Sequence, residues 1–539
     1  MKMRISKIRR ILSFGLAVSV LAAAGCGGPH KIRNVILIIP DGMSLSDIGL
    51  ARWYQEGRPL VMDRFACGLV RTFSANSLIT DSAAAGSAYA TGHRIESETL
   101  SIRPAAVTML GVERTSPEEV HRPLPTLLEA AKLKGKATGL VFTSEFVDAT
   151  PAAFCSHVLD RYEMEAIAEQ MVYSGVDVLL GGGRAYLVPG PEKANRKDGE
   201  DLTRVLKDKG YAYVKDRGDL TGSSALPRVW GLFQPNGLEA EFDRDPATQP
   251  GLAEMTRKAI EILSRDKDGF FLMVESGEID TFGHDNDPIG IISEVLAFDQ
   301  ALGVAVDFAV RDKHTAVIAC ADHATGGLSI DNDEAMDDLV SVLKKARSTS
   351  HAVRNKIKED GSNLMEVLEN DYGLTGLTAA ELESIRKAGK EDLPPAIGRA
   401  LAVRASISFS TEYHTGEDVV LFAYHPSGYK PTEFVESGVI QNVDVNRYIQ
   451  KVLGLDLESL NDVLHVASAA FEARGAKVAL DRQDEANPVV LVTKDTDVLR
   501  LPVNKNLAIL NGKKIELNGL VTVVAGRIWV PRQAVDLIR

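Results

Sequence analysis

Thiols are scarce in this chain, with four cysteines in 539 residues. Cys26 stands apart near the N-terminus, and Cys67, Cys155 and Cys320 cannot all pair with one another, so disulfides do not organise the fold. No Cys-x-x-Cys pair occurs, which argues against a thiolate zinc site. Cys320 closes the apolar run Thr315-Ala316-Val317-Ile318-Ala319-Cys320 and reads as a small buried hydrophobe in a strand. A basic patch is also missing. The formal charge of −13 is acidic and spread along the sequence, which disfavours a nucleic-acid partner. An anionic substrate would therefore need bound cations for its countercharge. There are no repeats of solenoid period and no low-complexity segment. Gly181-Gly182-Gly183 has no Lys-Ser/Thr after it and reads as a turn at a strand end, not as a phosphate loop.

What is present suffices for a large core. With 45% hydrophobic and 25% charged residues, the chain is too long for one compact domain of ordinary size, and one large catalytic domain with an appendage is expected. Lys2, Arg4, Lys7, Arg9 and Arg10 precede an apolar run from Ile11 to Ala24 that is too short to span a bilayer comfortably, so residues 1–25 read as an export signal. The run ends in Leu21-Ala22-Ala23-Ala24-Gly25-Cys26, which resembles a bacterial lipobox with Cys26 as the lipidated mature N-terminus. Ala23 departs from it, since that position is usually Leu. Cleavage after the small residues, with Cys26 a spare thiol, is the alternative. Either route exports the protein to the periplasm or cell surface, and a lipid on Cys26 would be its only membrane contact.

Several short, branched apolar runs are each followed at once by polar residues. Asn34 to Ile39 leads to Pro40-Asp41-Gly42, Thr138 to Phe142 to Thr143-Ser144, Phe270 to Val274 to Glu275, and Thr315 to Cys320 to Asp322-His323. Such runs suit strands buried on both faces, with helical patterns such as Leu124 to Lys134 and Gly290 to Val310 between them. The expected fold class is α/β, a three-layer α/β/α sandwich around a large, mostly parallel sheet. Ligands bind beyond the carboxyl ends of strands in such sheets, where Asp41, Glu275, Asp322 and His323 stand. Residues 331–404 are charged and helix-prone, with Glu334 to Lys345 and Ala379 to Lys390 as candidate helices. They read as an insertion over the site, because the strand pattern resumes at Val419. A last helix ends near Leu455, and Asn487 to Arg539 alternate in β-like runs with Asn511-Gly512 as a hairpin turn. The expected division is a catalytic domain over 31–455 and a β-rich module over 463–539.

Oxygen and nitrogen ligands gather at these strand ends. Asp280 and His284, four apart, can share one face of a helical turn; Asp322 and His323 are adjacent; His414 opens His414-Thr415-Gly416. Carboxylate with imidazole and no thiolate is the ligand style of catalytic zinc, and additional hard oxygens suit magnesium. Thr80-Asp81-Ser82-Ala83-Ala84-Ala85-Gly86 is the second signal. Small residues after Ser82 let a helix pack tightly against a sheet and leave Ser82 at a positive helix N-terminus, where phosphate or an alkoxide is favoured.

Taken in order, these segments resemble the motif set of the alkaline phosphatase family from about Lys31 to Leu455. Pro40-Asp41-Gly42, Asp81-Ser82-Ala83-Ala84, Asp148-Ala149-Thr150-Pro151, Val274-Glu275 with Asp280 and His284, Ala321-Asp322-His323 and His414-Thr415-Gly416 carry it. The resemblance implies hydrolysis of small phosphate monoesters through a phosphoserine on Ser82, with two zinc ions and one magnesium ion per subunit. Asp280, His284 and His414 would hold one zinc. Asp41, Asp322, His323 and Ser82 would hold the other, and Asp41, Thr150 and Glu275 the magnesium. Arg161, thirteen residues beyond Asp148, falls on the family's phosphate-clamping arginine, and Asp148 on its substrate-side carboxylate.

The departures are local. Thr281 stands where the family usually has Lys, His or Trp, Ser87 replaces a more usual Thr, and His425 appears in Ala423-Tyr424-His425-Pro426. The tail from Leu507 to Ile538 resembles the stalk-type module related to the N-terminal domain of copper amine oxidases. It has no His or Cys beyond His465, so it suits attachment, with a cell-envelope partner, better than copper binding. A homodimer is left open. Of the competing readings, a sulfatase lacks its Cys/Ser-x-Pro-x-Arg context around Ser82, a phosphodiesterase would not need Thr150 and Glu275, and a non-catalytic envelope-binding protein would not need the ligand set.

Overall fold

Asn34–Pro40 (β1) shows why the sheet is central, since all seven of its residues are buried. Successive side chains of a strand point to opposite faces, so a wholly buried strand is covered on both. The same holds for Phe270–Ser276 and Thr315–Cys320. In this computed structural model the described residues are 31–191, 195–222, 228–331 and 336–538. The leader 1–25 and Cys26 lie outside them.

In chain order the catalytic region supplies β1, β2 (Ala66–Arg71), β3 (Ala137–Glu145), β4 (Val178–Gly182), β5 (Ala212–Val214), β6 (Val229–Leu232), β7 (Phe270–Ser276) and β8 (Thr315–Cys320). Short strands β9 (Ala324–Thr325), β10 (Leu328–Ile330), β11 (Ile407–Phe409) and β12 (His414–Thr415) precede β13 (Val419–Tyr424) and β14 (Val439–Gln441). Ten of them form one sheet in the order β14-β2-β13-β8-β1-β7-β3-β4-β6-β5. It is parallel except at β13, which runs antiparallel to β2 and β8. The helices Leu252–Leu263 and Pro288–Asp312 pack on β3, β7, β1 and β8, and Leu127–Leu133 and Asn442–Leu453 contribute to the covering layers. Pro288–Asp312 is apolar and long enough to cross a membrane, yet mostly buried inside the protein. Leu37 and Ile38 are fully buried, and truncating either to Ala should cost about 2–5 kcal/mol.

Gly181 and Gly182 end β4, as expected of a strand-end turn. The insertion holds helices Met336–Leu343, Ser350–Lys356, Leu364–Asn370, Ala379–Lys387 and Leu393–Arg404. It leans on the end of the helix Glu278–His284, where the His351 ring meets Asp285 at 2.5 Å, and Arg399 pairs with Glu412 just before β12. Cys67, Cys155 and Cys320 are all free, and Cys320 is buried at the end of β8.

The C-terminal region has its own core, which includes Val490, Val492, Leu499, Leu501 and Val535. Five antiparallel strands, Lys477–Asp481, Val489–Lys494, Asp497–Pro502, Leu507–Leu510 and Lys513–Glu516, form one sheet. Its last hairpin turns on Asn511 (φ 50°) and Gly512 (φ 85°), the left-handed pair that a two-residue turn needs. The module docks on the catalytic region. Ile102 clusters with Val524 and Trp529, and Arg527 donates to the carbonyls of Val120 and Glu118 at 2.7 and 2.6 Å. At the same seam lies His465, whose imidazole burial pushes down to about 3.

Candidate active site

The parallel sheet sets Asp41, Glu275 and Asp322 side by side, because β1 lies between β7 and β8. Ile39 is in register with Glu275 and Pro40 with Ser276, so Asp41 leaves the sheet two residues past the level of Glu275. The turn after it must be tight. Gly42 has φ +76°, and a Cβ there would lie 2.6 Å from the Asp280 Cα, so only glycine fits. Its N–H donates to the Asp322 carboxylate at 3.2 Å, as does that of His323 at 2.9 Å.

Two groups of ligand atoms result. Asp280 and His284 lie on the short helix Glu278–His284, with His284 Nε2 3.2 Å from the Asp280 carboxylate. His414 joins them through β12, which pairs with β9 so that His414 faces Thr325; its Nε2 is 3.7 Å from Asp280. The Nδ1 atoms of both rings meet carbonyls, Glu412 for His284 and Thr80 for His414 at 2.9 Å. This leaves each Nε2 free to act as a ligand. The other group is Asp41, Asp322 and His323, with His323 Nε2 at 3.5 and 3.4 Å from the two carboxylates. The first group is the more open, since the His284 side chain is 38% exposed while Asp322 and His323 are fully buried.

Ser82 sits against the buried group, its Oγ 3.2 Å from His323 Nε2. Asp81 caps the helix Ser82–Thr91 through the N–H groups of Ala83 and Ala84. All ten residues of that helix are buried; it packs closely on the helices Ala149–Ala152 and Asn442–Leu453, and Tyr89 donates to the Ala321 carbonyl just past β8 at 2.7 Å. A Cβ on Gly86 would come within 3.3 Å of the Thr150 Cα, so the small side chains serve helix–helix approach. Thr150 Oγ1 in turn donates to Asp41 at 3.4 Å, which brings Thr150, Asp41 and Glu275 to one corner. Arg161 pairs with Asp148 at 2.8 Å. Burial opposes its charge, and Asp148 and Asp81 more than restore it.

Crowded carboxylates dominate the electrostatics. Burial, and then the neighbouring Asp322 and Asp280, hold Asp41 well above the usual carboxylate range. Glu275 is raised likewise by burial and Asp148, and Asp322 is pushed up to about 7 by burial and Asp280. Burial and His414 press the His323 imidazole well down. Asp280 goes the other way, since burial is outweighed by His284, His323 and His414. Asp41 Oδ1, Glu275 Oε1 and Asp322 Oδ2 are buried with no hydrogen-bond partner. Buried carboxylate oxygens without partners are costly unless a cation meets them, so this donor set fits metal ions.

Two neighbours escaped sequence reasoning. Ser144, at the end of β3, donates to Glu275 at 2.7 Å. Thr325 donates to Asp280 and lies 3.3 Å from His323 Nδ1. Both stand beside segments singled out for their ligands, but a hydroxyl that orients a ligand leaves no pattern of its own. His425 bonds only locally, to Ser427.

A family model described as alkaline phosphatase matches residues 32–455, and one described as copper amine oxidase N-terminal domain matches residues 461–537. Alkaline phosphatase 3 of Bacillus subtilis (strain 168) is 38% identical over 456 residues, covering 81% of this chain and 92% of that protein. The repressible alkaline phosphatase of Saccharomyces cerevisiae is 30% identical, covering 84% of this chain and 87% of that protein. The crystal structure of Thermus thermophilus alkaline phosphatase is similar with a TM-score of 0.70 at 30% identity, covering 79% of this chain and 92% of that one. Matched over most of its length in sequence and in fold, the chain belongs to the alkaline phosphatase family, as a phosphomonoesterase with a copper amine oxidase N-terminal domain at its carboxyl end.

Proposed function

We propose that the chain hydrolyses small phosphate monoesters outside the cytoplasm by double displacement, with Ser82 as the covalent nucleophile. The observation that carries this reading is the placement of Ser82 Oγ 3.2 Å from His323 in the buried Asp41–Asp322–His323 group, whose His323 ring stacks on His414 of the more open Asp280–His284–His414 group, each group able to surround one cation. Asp280, His284 and His414 would hold one zinc, Asp41, Asp322, His323 and Ser82 the second, and Asp41, Thr150 and Glu275 a magnesium. Such ions lower the pKa of a coordinated hydroxyl or water and offset charge on phosphoryl oxygens.

The chain's own groups do the rest. Ser82 Oγ forms a bond to phosphorus as the bond to the leaving alcohol oxygen breaks, and the alcohol departs with a proton. Water then attacks the phosphoserine, Ser82 regains its proton, and inorganic phosphate leaves with configuration retained. The planar Arg161 fork matches two non-bridging oxygens, and Asp148 aims it. The positive end of the Ser82–Thr91 helix favours the anionic group on Ser82.

Export by the leader 1–25, with a lipid on Cys26 as tether, and attachment to a cell-envelope partner through the C-terminal module belong to the same proposal. They rest on the basic and apolar leader and on the module's family. A homodimer is compatible with them. The decisive experiment combines metal analysis, rates on a panel of monoesters and diesters, and acid trapping of the phosphoenzyme. Zinc and magnesium with monoester preference and label on Ser82 are expected. Diester preference, or label on another residue, would overturn the reading.

A further inference from the structure

A second imidazole–carboxylate cluster lies outside the cleft, where the C-terminal module meets the catalytic region. Glu129, on the helix Leu127–Leu133, uses Oε2 to accept from the Thr126 N–H at 2.9 Å. Its Oε1 lies 3.3 Å from Nε2 of the buried His157. His157 Nδ1 meets the Ser101 carbonyl at 3.1 Å, which leaves the lone pair on Nε2. From the module comes His465, 1% exposed, with its ring 4.8 Å from that of His157 and tilted 72° to it. Neither nitrogen of the His465 ring has a hydrogen-bond partner. One ligand atom from each of the three residues lies within 4.8 Å of the others.

An imidazole buried with both nitrogens unpaired forfeits its hydration and receives nothing in exchange, so its environment lacks a group. We propose that Glu129, His157 and His465 form a zinc site that clamps the C-terminal module to the catalytic domain. Imidazole with carboxylate is a zinc donor set, and three protein ligands leave a fourth position for solvent. The 3.3 Å between Glu129 Oε1 and His157 Nε2 is about the edge of a tetrahedron with bonds of about 2.05 Å. A carbonyl on the far nitrogen, as Ser101 supplies, orients a ligating imidazole. Arg122, the nearby cation that opposes charge on His465, is itself offset by Glu119 and Asp462 at 2.9 and 3.0 Å. A cavity of about 520 Å³ between the two regions reaches His157 past Gln170, Arg482, Glu485 and Asn504, which provides a way in.

The test uses the full-length chain. After equilibration with zinc and removal of loosely bound metal, elemental analysis should find about one equivalent less zinc in His465→Gln and His157→Gln than in the parent. Turnover of p-nitrophenyl phosphate should change less than about twofold, because neither residue belongs to the cleft. Asp322→Ala should show the converse, losing cleft zinc and turnover while keeping the seam zinc. Equal zinc in the parent and the His465→Gln protein would overturn the proposal. A variant that failed to fold would leave a measurement on the parent itself, anomalous scattering at the zinc edge from zinc-loaded crystals. A peak bounded by Glu129, His157 and His465 is expected. Peaks in the cleft with none at the seam would mean that Glu129 and the two imidazoles hold protons only.

Discussion

The cleft and the seam beneath the C-terminal module both bury carboxylates, but they surround them differently. In the cleft the neighbours of Asp41 are Asp322, Asp280, Glu275 and Asp148, and several carboxylate oxygens have no partner. At the seam Lys505 stands between the buried Glu169, at 2.9 Å, and the half-buried Glu200. A chain that pairs its buried charges supplies its own countercharge. A chain that crowds like charges together relies on something bound from outside, and that is where the proposed catalysis is placed. Among the described residues at the seam, the Glu129–His157–His465 cluster has no such cation, and both nitrogens of His465 lack a partner, which is why it invites a metal.

The comparison can be broken most severely at Ser82. Ser82→Ala should lower kcat by at least about 10³-fold and abolish the phosphoenzyme, with fold and metal content kept; a stable phosphoserine elsewhere in the chain would refute its role. Next come Asp322→Ala and His414→Ala, each expected to lose a zinc and about 10²-fold or more in turnover, since the remaining ligands no longer hold the site in shape. Unchanged zinc and full activity in either variant would contradict the assignment.

Glu294 sharpens the contrast through stability. It is buried, accepts from the Glu241 N–H at 2.8 Å and the Ser293 hydroxyl at 3.0 Å, and burial pushes it up to about 7. Because the folded state holds this proton more tightly than the unfolded chain, its stabilising effect is complete below about 4.5 and lost as pH rises through about 7. Glu294→Gln should therefore gain about 3 kcal/mol relative to the parent between pH 4.5 and 8. Chemical denaturation across that range measures it, and a pH-independent difference would exclude the linkage.

A smaller effect is expected at Thr281, which stands where the family resemblance implies Lys, His or Trp. Thr281→Lys should add about 1–3 kcal/mol of attraction for phosphate at an effective dielectric of about 20. The inhibition constant for phosphate should fall, together with kcat if product release limits the rate. Unchanged inhibition would mean that position 281 does not face bound phosphate. The smallest effect is reserved for truncation after Leu460. Monoester kcat/KM should stay within about twofold, because every proposed cleft ligand lies upstream, while Tm falls as Ile102 and Glu169 lose their cover. Soluble, fully metallated protein without turnover would show that the module helps to build the cleft.

How far the chain could be read is clearest at β1, β7 and β8. Their branched apolar runs and the polar residues that follow were legible, so Asp41, Glu275 and Asp322 could be placed at strand ends before any coordinates. The order β8-β1-β7-β3 was not legible, because parallel neighbours are chosen by non-local packing and leave no mark in either strand. The same limit applies to His414. Its motif was visible, but only the β9–β12 pairing lays it beside His323, with ring centroids 3.6 Å apart.

The sequence alone determined the strand runs, the charge balance, the residue types able to hold metal ions and the serine at the start of a helix at position 82, since these follow from local periodicity and side-chain chemistry. The tertiary structure decided three other things. It packed the Ser82–Thr91 helix on helices, recruited Ser144 and Thr325 to orient ligands, and brought His465 across a seam of more than three hundred residues to meet His157. Each depends on which surfaces exclude water together, and burial is a property of the folded whole rather than of any segment.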